Sequence, residues 1–349
     1  MEFARESIFI SSLRSFCKIF FSVIGFSISL FLVMTVYSLF TSPYMPEEKT
    51  QLNILPDLQG NQEMVSFSSP VVLRINIDGI IGIPEVLTGE TIENILLESR
   101  RGILHNDRVK AILLYMNTPG GTVTDSDSIY RLLKAYKAKF KTPIYAYVDG
   151  LCASGGMYVS SAADKMYASP PSIIGSIGVI YGPIFNFSEA MTKIGIESKT
   201  ITEGIGKDEL NPFRPWKPDE DAPFKSIIAY NYQQFVDIAT ESRPRLDKQK
   251  LISDYGARVF DAPDAQEKGY IDVAGADYHT ALADLMQAAQ IDAAKPYQVI
   301  ELRPKQDFFK TLSQSSLFKG KVEHVIQVAD HLPRELQNKL LYLYAPGLK

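Results

Sequence analysis

The chain has 349 residues, of which 46% are hydrophobic and 22% are charged, and its formal net charge at pH 7 is −4. A chain of this length can bury one core of about 200–250 residues and still carry extensions on either side of it. Nucleic-acid-binding proteins usually present a basic face, and a mildly acidic chain of ordinary composition gives no sign of one. We therefore expect one main domain with extensions and no nucleic-acid partner.

An apolar segment near the N-terminus predicts a membrane anchor. Residues 16–40 read "FCKIFFSVIGFSISLFLVMTVYSLF", with Lys18 as the only charge, and about 20 apolar residues suffice to span a bilayer. Ser38–Ser42 does not resemble the small-residue cleavage site of a signal peptide, which favours an uncleaved helix. Basic residues precede the span, so the positive-inside rule places residues 1–15 in the cytoplasm and the bulk of the chain across the membrane.

Composition and hydrophobic periodicity divide the rest of the chain into three parts. Residues 41–69 are polar and interrupted by proline and glycine, which predicts a tether. Regular apolar patterning over 70–292 predicts the main domain. Residues 293–349 contain "KVEHVIQVADHL" and "ELQNKLLYLYA", two amphipathic patterns that predict a helical C-terminal extension.

Within the main domain, apolar strand patterns alternate with helical ones. The strands are "VVLRINIDGI", "VKAILLYMN" and "PIYAYVDG", and the helices between them are "GETIENILLESRRGIL" and "DSDSIYRLLKAYKAKF". Further along, "ESKTITEG" predicts a strand and residues 219–241 a long helix. Strands that are apolar along most of their length indicate a parallel sheet covered by helices. Ligands of such sheets bind beyond the C-terminal strand ends, so the turns "NTPGG" and "LCASGG" should be neighbours at the functional edge.

Ser154 in "LCASGG" has two interpretations, a helix N-cap or a nucleophile, and the residues alone leave both open. A Ser-His-Asp triad is not expected, because His105 precedes a strand at the wrong sheet edge and the other three histidines lie beyond the core motifs. No H-E-x-x-H pattern is present, which argues against a metalloprotease. Lys207 follows a predicted strand in a glycine-flanked turn. A lysine can act as a base when burial lowers its pKa from about 10.4, although most turn lysines are solvated.

Four motifs then occur in a characteristic order: "NTPGG", "ASGGMYVSSAAD", "GSIGVI" and "GKDELNPFRP". Over about residues 71–292 they resemble the protease IV / signal peptide peptidase A family of membrane-anchored bacterial serine–lysine peptidases. The resemblance implies an α/β fold of the Clp protease/crotonase type, a core of parallel sheet with covering helices. An N-terminal transmembrane helix and a helical C-terminal tail would flank this core.

The resemblance also implies roles for individual residues. Ser154 aligns with the nucleophile and Lys207 with the general base, and Ser176 with a serine that hydrogen-bonds the lysine amine. Gly121 and Gly155 would supply the two backbone N–H groups of the oxyanion hole. No cofactor and no metal is implied.

The expected function is that of an anchored serine endopeptidase degrading signal-peptide remnants or other hydrophobic unfolded peptides outside the cytoplasmic membrane. It would contact the bilayer through residues 16–40 and assemble as a homo-oligomer. Because the chain has one domain copy, its dyad must be completed within one protomer or with a neighbour. The alternatives are a catalytically silent, membrane-tethered peptide-binding scaffold and an acyl-thioester enzyme of the crotonase type. Asp149, Asp164 and Cys152 are expected to be structural.

Overall fold

The computed structural model describes residues 8–41, 49–305 and 340–344, which fall into two units, one before and one after residue 48. In the first unit, helix α1 comprises Ile8–Thr41. Its stretch Ile10–Tyr37 is long and apolar enough to cross a membrane by length and composition. The helix begins before the predicted start at residue 16, because the preceding "IFISSLRS" contains apolar residues that extend the same pattern.

The second unit is built on a nine-stranded sheet. Along its main path the strand order is β1-β10-β2-β3-β5-β6-β9, with β7 on β5 and β8 on β7; only the pairs β1/β10 and β7/β8 are antiparallel. A separate two-stranded sheet joins β4 and β11. The strands are β1 Thr50–Leu55, β2 Val71–Asp78, β3 Val109–Thr118, β4 Gly120–Thr122, β5 Ile144–Ala153, β6 Lys165–Ala168, β7 Ile173–Gly175, β8 Val259–Asp261, β9 Val273–Ala274, β10 Gln298–Pro304 and β11 Leu341–Leu343.

Helices cover this sheet, and the predicted class of a mostly parallel sheet with helices is confirmed. They are α2 Gly89–Glu98, α3 Val123–Phe140, α4 Gly155–Ser160, α5 Ser188–Lys193, α6 Ala222–Ser242, α7 Lys248–Lys250, α8 Ala262–Lys268 and α9 Tyr278–Ala288. A 3₁₀ turn at Gly102–Leu104 and a π turn at Leu251–Tyr255 complete the described helical elements.

The core lies on both faces of the sheet, as the alternation along β3 shows. Ile112, Leu114 and Met116 belong to the larger apolar cluster, which also contains residues of α2, α3, α4 and α6. Ala111 and Leu113 belong to the second cluster, which contains the buried face of α9. Successive side chains of a strand point to opposite faces, so both faces must be covered for this strand to be apolar throughout.

The predicted tether needs correction. Within residues 41–69, strand β1 pairs over its whole length with β10, from Thr50 opposite Pro304 to Leu55 opposite Val299. In turn, β10 pairs with β2, so the sheet extends past the predicted domain end at residue 292. A polar strand is stable at this position because β1 is an edge strand with one side open to solvent.

Two further predictions are wrong in part. "ESKTITEG" forms no strand, and its residues are exposed coil. In the C-terminal extension, the described residues of "ELQNKLLYLYA" form strand β11 rather than a helix, because β4 offers an edge for pairing. The other predicted tail helix, "KVEHVIQVADHL", lies outside the described residues.

Candidate active site

Ser154 stands at the junction between β5 and α4, in a backbone conformation that is rare for a residue with a side chain. Its φ is 53° and its ψ is −113°, and only 1% of the residue is exposed. Backbone strain of this kind costs of order 1–3 kcal/mol and persists only where the surrounding structure enforces it. The Ser154 side chain makes no capping hydrogen bond to α4. Ser154 is therefore the N-cap residue of α4 by position, but its hydroxyl does not cap the helix.

Strand β7 places Ser176 beside Ser154. Ala153 pairs with Gly175 across the parallel strands, and the Ser154 N–H donates to the Gly175 carbonyl at 2.9 Å. Ser176 also has a positive φ, 55°, immediately after β7. Both serines line one cavity of about 520 Å³, whose other lining side chains are mostly apolar. The structure thus brings these two predicted site residues together.

The "NTPGG" turn lies against the N-terminus of α4, as expected from the sheet topology. Thr118 shapes this turn, because its Oγ1 donates to the Gly79 carbonyl at 2.6 Å and accepts from the Gly120 N–H at 3.0 Å. A Cβ on Gly120, whose φ is 94°, would lie 2.6 Å from the Gly155 nitrogen, and a Cβ on Gly121 would lie 1.8 Å from the Ile81 carbonyl oxygen. Only glycine fits at either position, and the backbone of the turn directly adjoins the first N–H groups of α4.

Lys207, the predicted base, lies apart from this cluster. It is exposed on a turn in which its N–H donates to the Gly204 carbonyl at 3.3 Å. Among the described residues, the cavity beside Ser154 is lined by a different lysine, Lys225. The Lys225 ammonium forms an ion pair with Asp221 at 2.8 Å, and this contact raises the pKa of Lys225. Lys225 therefore lines the cavity as a charged side chain paired with Asp221.

The segment that carries Lys207 is organised by Arg214. The Arg214 guanidinium contacts Asp208 at 2.7 Å and Glu220 at 2.5 Å, and it also donates to the Asp208 carbonyl at 2.6 Å. Glu220 in turn accepts from the Leu210 and Lys217 N–H groups at 2.5 and 2.7 Å. The hydrogen bond from Arg214 holds the pKa of Glu220 at about 2. This network fixes the backbone on the C-terminal side of Lys207.

We expect Glu220→Gln to loosen this segment at neutral pH, with the change visible in the fluorescence of Trp216, the single tryptophan of the chain. The Trp216 Nε1 donates to the Asn211 carbonyl at 3.0 Å, inside the same segment. A carboxyl with a lowered pKa stabilises the fold above its ordinary pKa and loses that contribution as the pH falls through the lowered value. In the unmodified protein, the emission spectrum of Trp216 should therefore stay unchanged from pH 7 to about 4.5 and should change only towards pH 2. Glu203→Gln, at an exposed residue, is the control, and an unchanged spectrum in Glu220→Gln would contradict the assignment.

Arg243 supports the site from the opposite end of α4. It is 4% exposed, and its two terminal nitrogens donate to the Ser160 and Ala163 carbonyls at 3.2 Å and to the Ser242 carbonyl at 2.9 Å. The last carbonyls of a helix have no intrahelical partner, and Arg243 donates to the carbonyl of Ser160, the last residue of α4, and to that of Ala163 just beyond it. This role could not be predicted from the residue pattern, since an arginine at the end of a predicted helix is ordinarily solvated.

The remaining side chains considered from the sequence are structural. Asp164 accepts from the Ile144 N–H at 3.0 Å and pairs with Lys137, and Asp149 accepts from the Tyr115 hydroxyl at 2.5 Å. Cys152 is fully buried in the main core, and burial raises the pKa of its thiol to about 12. A thiol that stays protonated is a weak nucleophile, as expected for a core cysteine.

Comparison with known proteins shows which families and proteins this chain resembles. Residues 136–292 match the model of Peptidase family S49. A putative protease of Methanocaldococcus jannaschii is 35% identical over 186 residues, 53% of this chain and 58% of that protein. A putative signal peptide peptidase SppA of Enterococcus faecium is 28% identical over 213 residues, 60% of this chain and 61% of that protein. A solved ClpP1 mutant from Listeria monocytogenes aligns over 60% of this chain and 94% of its own, with 16% identity and a TM-score of 0.40.

Residues 136–292 are therefore similar to peptidase family S49, and the predicted resemblance to the signal peptide peptidase A family is confirmed. Its aligned region spans about three fifths of the length of these two curated relatives.

Proposed function

We propose that the protein is a membrane-anchored serine endopeptidase with Ser154 as nucleophile and Lys207 as general base. The observation that carries the proposal is the placement of Ser154. It is buried, strained and free of a capping role, and it lies beside the glycine turn and Ser176 in one cavity. Strain at a serine that could relax by capping its helix is typical of a functional position.

The proposed reaction combines the position of Ser154 with the roles that the family resemblance implies. The Ser154 hydroxyl attacks a peptide carbonyl while its proton passes to the neutral Lys207 amine, and Ser176 orients that amine. The N–H groups of Gly121 and Gly155 bind the oxyanion, usually the largest catalytic contribution in acyl transfer. Lys207 then gives the proton to the leaving amine. The Lys207 amine, neutral again, activates the water that hydrolyses the acyl-enzyme.

The exposure of Lys207 favours a dyad completed by a neighbouring copy. Lys207 lies in a segment with an unusual number of exposed apolar side chains, namely Ile194 (71% exposed), Ile196 (51%), Ile201 (86%), Ile205 (109%) and Phe213 (51%). An exposed apolar surface of this kind marks an interaction site. If the segment packs against a second copy, one contact buries these side chains and delivers a lysine to Ser154 of that copy.

Two features support hydrophobic peptide substrates outside the cytoplasmic membrane, such as signal-peptide remnants. The cavity beside Ser154 is lined largely by apolar side chains, including Ile177, Val179 and Ile228. The length and composition of α1 suit a membrane anchor, which would hold the site near membrane-associated peptides.

The decisive experiment is complementation between two inactive variants of the full chain in detergent. Ser154→Ala and Lys207→Ala should each lose peptidase activity by about 10³-fold or more. Co-expression in equal amounts should restore about a quarter of the activity, since an intact serine then meets an intact neighbouring lysine at about one site in four.

The control is co-expression of Ser154→Ala with the double variant Ser154→Ala/Lys207→Ala, which can form no complete site. Recovery with the first pair alone establishes a shared dyad. Inactive single variants without recovery would place the dyad within one protomer. Full activity of Lys207→Ala would remove Lys207 as the base, and an inactive parent chain would favour the silent peptide-binding scaffold.

A further inference from the structure

The C-terminal segment, residues 340–344, occupies the candidate active site as a β-strand. Strand β11 runs antiparallel to β4, with Leu341 opposite Thr122, Tyr342 opposite Gly121 and Leu343 opposite Gly120. On its other side, Leu341 exchanges two backbone hydrogen bonds with Ile180, both 3.0 Å long. The segment is thus held between two stretches of backbone, the arrangement in which many proteins bind extended peptides.

The register places the Tyr342 carbonyl at the candidate oxyanion hole. The Val123 N–H donates to the Leu340 carbonyl at 3.1 Å, and the Tyr344 N–H donates to the Pro119 carbonyl at 2.7 Å. In an antiparallel ladder these two bonds flank a pair that exchanges both of its backbone bonds, which here is Tyr342 with Gly121. The Gly121 N–H therefore points to the Tyr342 carbonyl oxygen.

The surrounding glycines confirm how close this carbonyl is to the site. The Tyr342 oxygen lies 2.0 Å from the position that a Cβ on Gly120 would take, and 3.1 Å from that of a Cβ on Gly155. The carbonyl thus lies between the glycine turn and the first residue of α4. These are the groups proposed above to bind the carbonyl of a substrate.

The Tyr342 side chain fills an aromatic pocket next to this position. It is 1% exposed, and its ring centroid lies 5.0 Å from that of Tyr158 and 4.6 Å from that of Phe235. Its hydroxyl donates to the Asn231 carbonyl at 3.0 Å. The next residue, Leu343, lines the same cavity as Ser154. Backbone pairing and a buried aromatic anchor together hold the segment in a defined register.

We propose that residues 340–344 are an internal peptide that occupies the substrate groove and competes with peptides from outside. The groove then takes an extended strand with an aromatic side chain at the residue whose carbonyl faces Gly121. This inference rests on the proposed peptidase function for its effect on activity, but occupation of the groove can be tested without catalysis.

The first test locks the segment in place in the full chain. Ile180 and Leu341 exchange both backbone hydrogen bonds, so their Cα atoms are about 5.5 Å apart, within the range that a disulfide bridges. In Ile180→Cys/Leu341→Cys, oxidation should form the cross-link and lower peptidase activity at least about tenfold, and reduction should restore it. The two single-cysteine variants are the controls. Failure to cross-link, or a cross-linked protein as active as the reduced one, would overturn the proposal.

The second test measures binding in the inactive Ser154→Ala background. Leu341→Pro removes the N–H that donates to Ile180 and should release the segment. A fluorescent peptide with the sequence of residues 340–349, LLYLYAPGLK, should bind this double variant at least about tenfold more tightly than it binds Ser154→Ala alone. The same peptide with alanine in place of the tyrosine corresponding to Tyr342 should bind much more weakly.

The outcomes separate the two proposals. Equal binding to both folded variants would show that the segment does not occupy the groove. If the parent chain shows no peptidase activity but the released variant still binds the peptide more tightly, the segment occupies the groove and the peptidase proposal is rejected. If Leu341→Pro fails to fold by circular dichroism, the cross-linking result decides whether the segment occupies the groove.

Discussion

Replacing Ser154 by glycine is expected to stabilise the protein while abolishing its peptidase activity. Glycine adopts the observed backbone, φ 53° and ψ −113°, without the strain of about 1–3 kcal/mol that a side chain incurs there. Because glycine also makes the unfolded chain more flexible, the net gain in unfolding free energy should be about 1 kcal/mol, or about 2–4 °C in melting temperature. Peptide cleavage should fall by about 10³-fold or more, since the nucleophilic hydroxyl is gone.

Two further variants isolate the cause of this gain. Ser154→Ala should lose activity equally but keep the strain, leaving it about 1–2 kcal/mol less stable than Ser154→Gly. Ser161, the helical C-cap of α4 with φ −63°, is the matched control. There, alanine should be more stable than glycine by up to about 1 kcal/mol. Thermal melts showing the same preference at both positions would mean that Ser154 carries no backbone strain.

Replacing Arg243 by alanine is expected to give a large loss of stability. The change leaves the Ala163 carbonyl buried without its donor, at about 1–3 kcal/mol for an unsatisfied group. It also removes one of the two donors to the Ser160 carbonyl, which keeps the Ala163 N–H at 3.0 Å, and it opens a cavity in the core. We expect the free energy of unfolding to fall by about 3 kcal/mol or more, which corresponds to about 6–12 °C in melting temperature. At temperatures where the variant is still folded, its peptidase activity should also be reduced, because the same contacts position α4, which begins at Gly155.

Arg245→Ala is the matched control, since Arg245 is exposed and makes one hydrogen bond of 3.3 Å, to the Gln266 carbonyl. Its melting temperature should change by no more than about 2 °C. Arg243→Lys gives a further readout, because an ammonium can satisfy some of the carbonyls but cannot span them all. An Arg243→Ala protein as stable as Arg245→Ala would show that α4 needs no support at its C-terminal end.

The alternation of apolar strands and helices was sufficient to predict the parallel sheet, and the sheet was sufficient to predict that two glycine-rich turns meet. These predictions succeed because they depend on local periodicity and on the fixed direction of parallel strands, both of which are written in short stretches of sequence. Ser154 was recognisable from the two glycines after it. That its hydroxyl does not cap α4 became clear only from the structure, in which the Ser154 side chain makes no capping hydrogen bond.

The tether and the C-terminal tail could not be predicted correctly, because a short edge strand depends on its partner rather than on its own pattern. Residues 50–55 form a strand since β10 lies beside them, and residues 341–343 form a strand since Gly121 and Ile180 supply hydrogen bonds on both sides. Their own residues fit a polar linker or an amphipathic helix equally well, and β propensity is decided by such context.

The sequence by itself determined the class of the domain and the apolar N-terminal helix, because each depends on local composition and spacing. Ser154 became the candidate nucleophile through the resemblance of its motif to a known family. Only the tertiary structure placed Ser176 beside Ser154, Arg243 behind α4 and Tyr342 against Gly121, while leaving Lys207 exposed. These are contacts between residues far apart in the chain. They arise from how buried strands and helices pack, which no single stretch of sequence records.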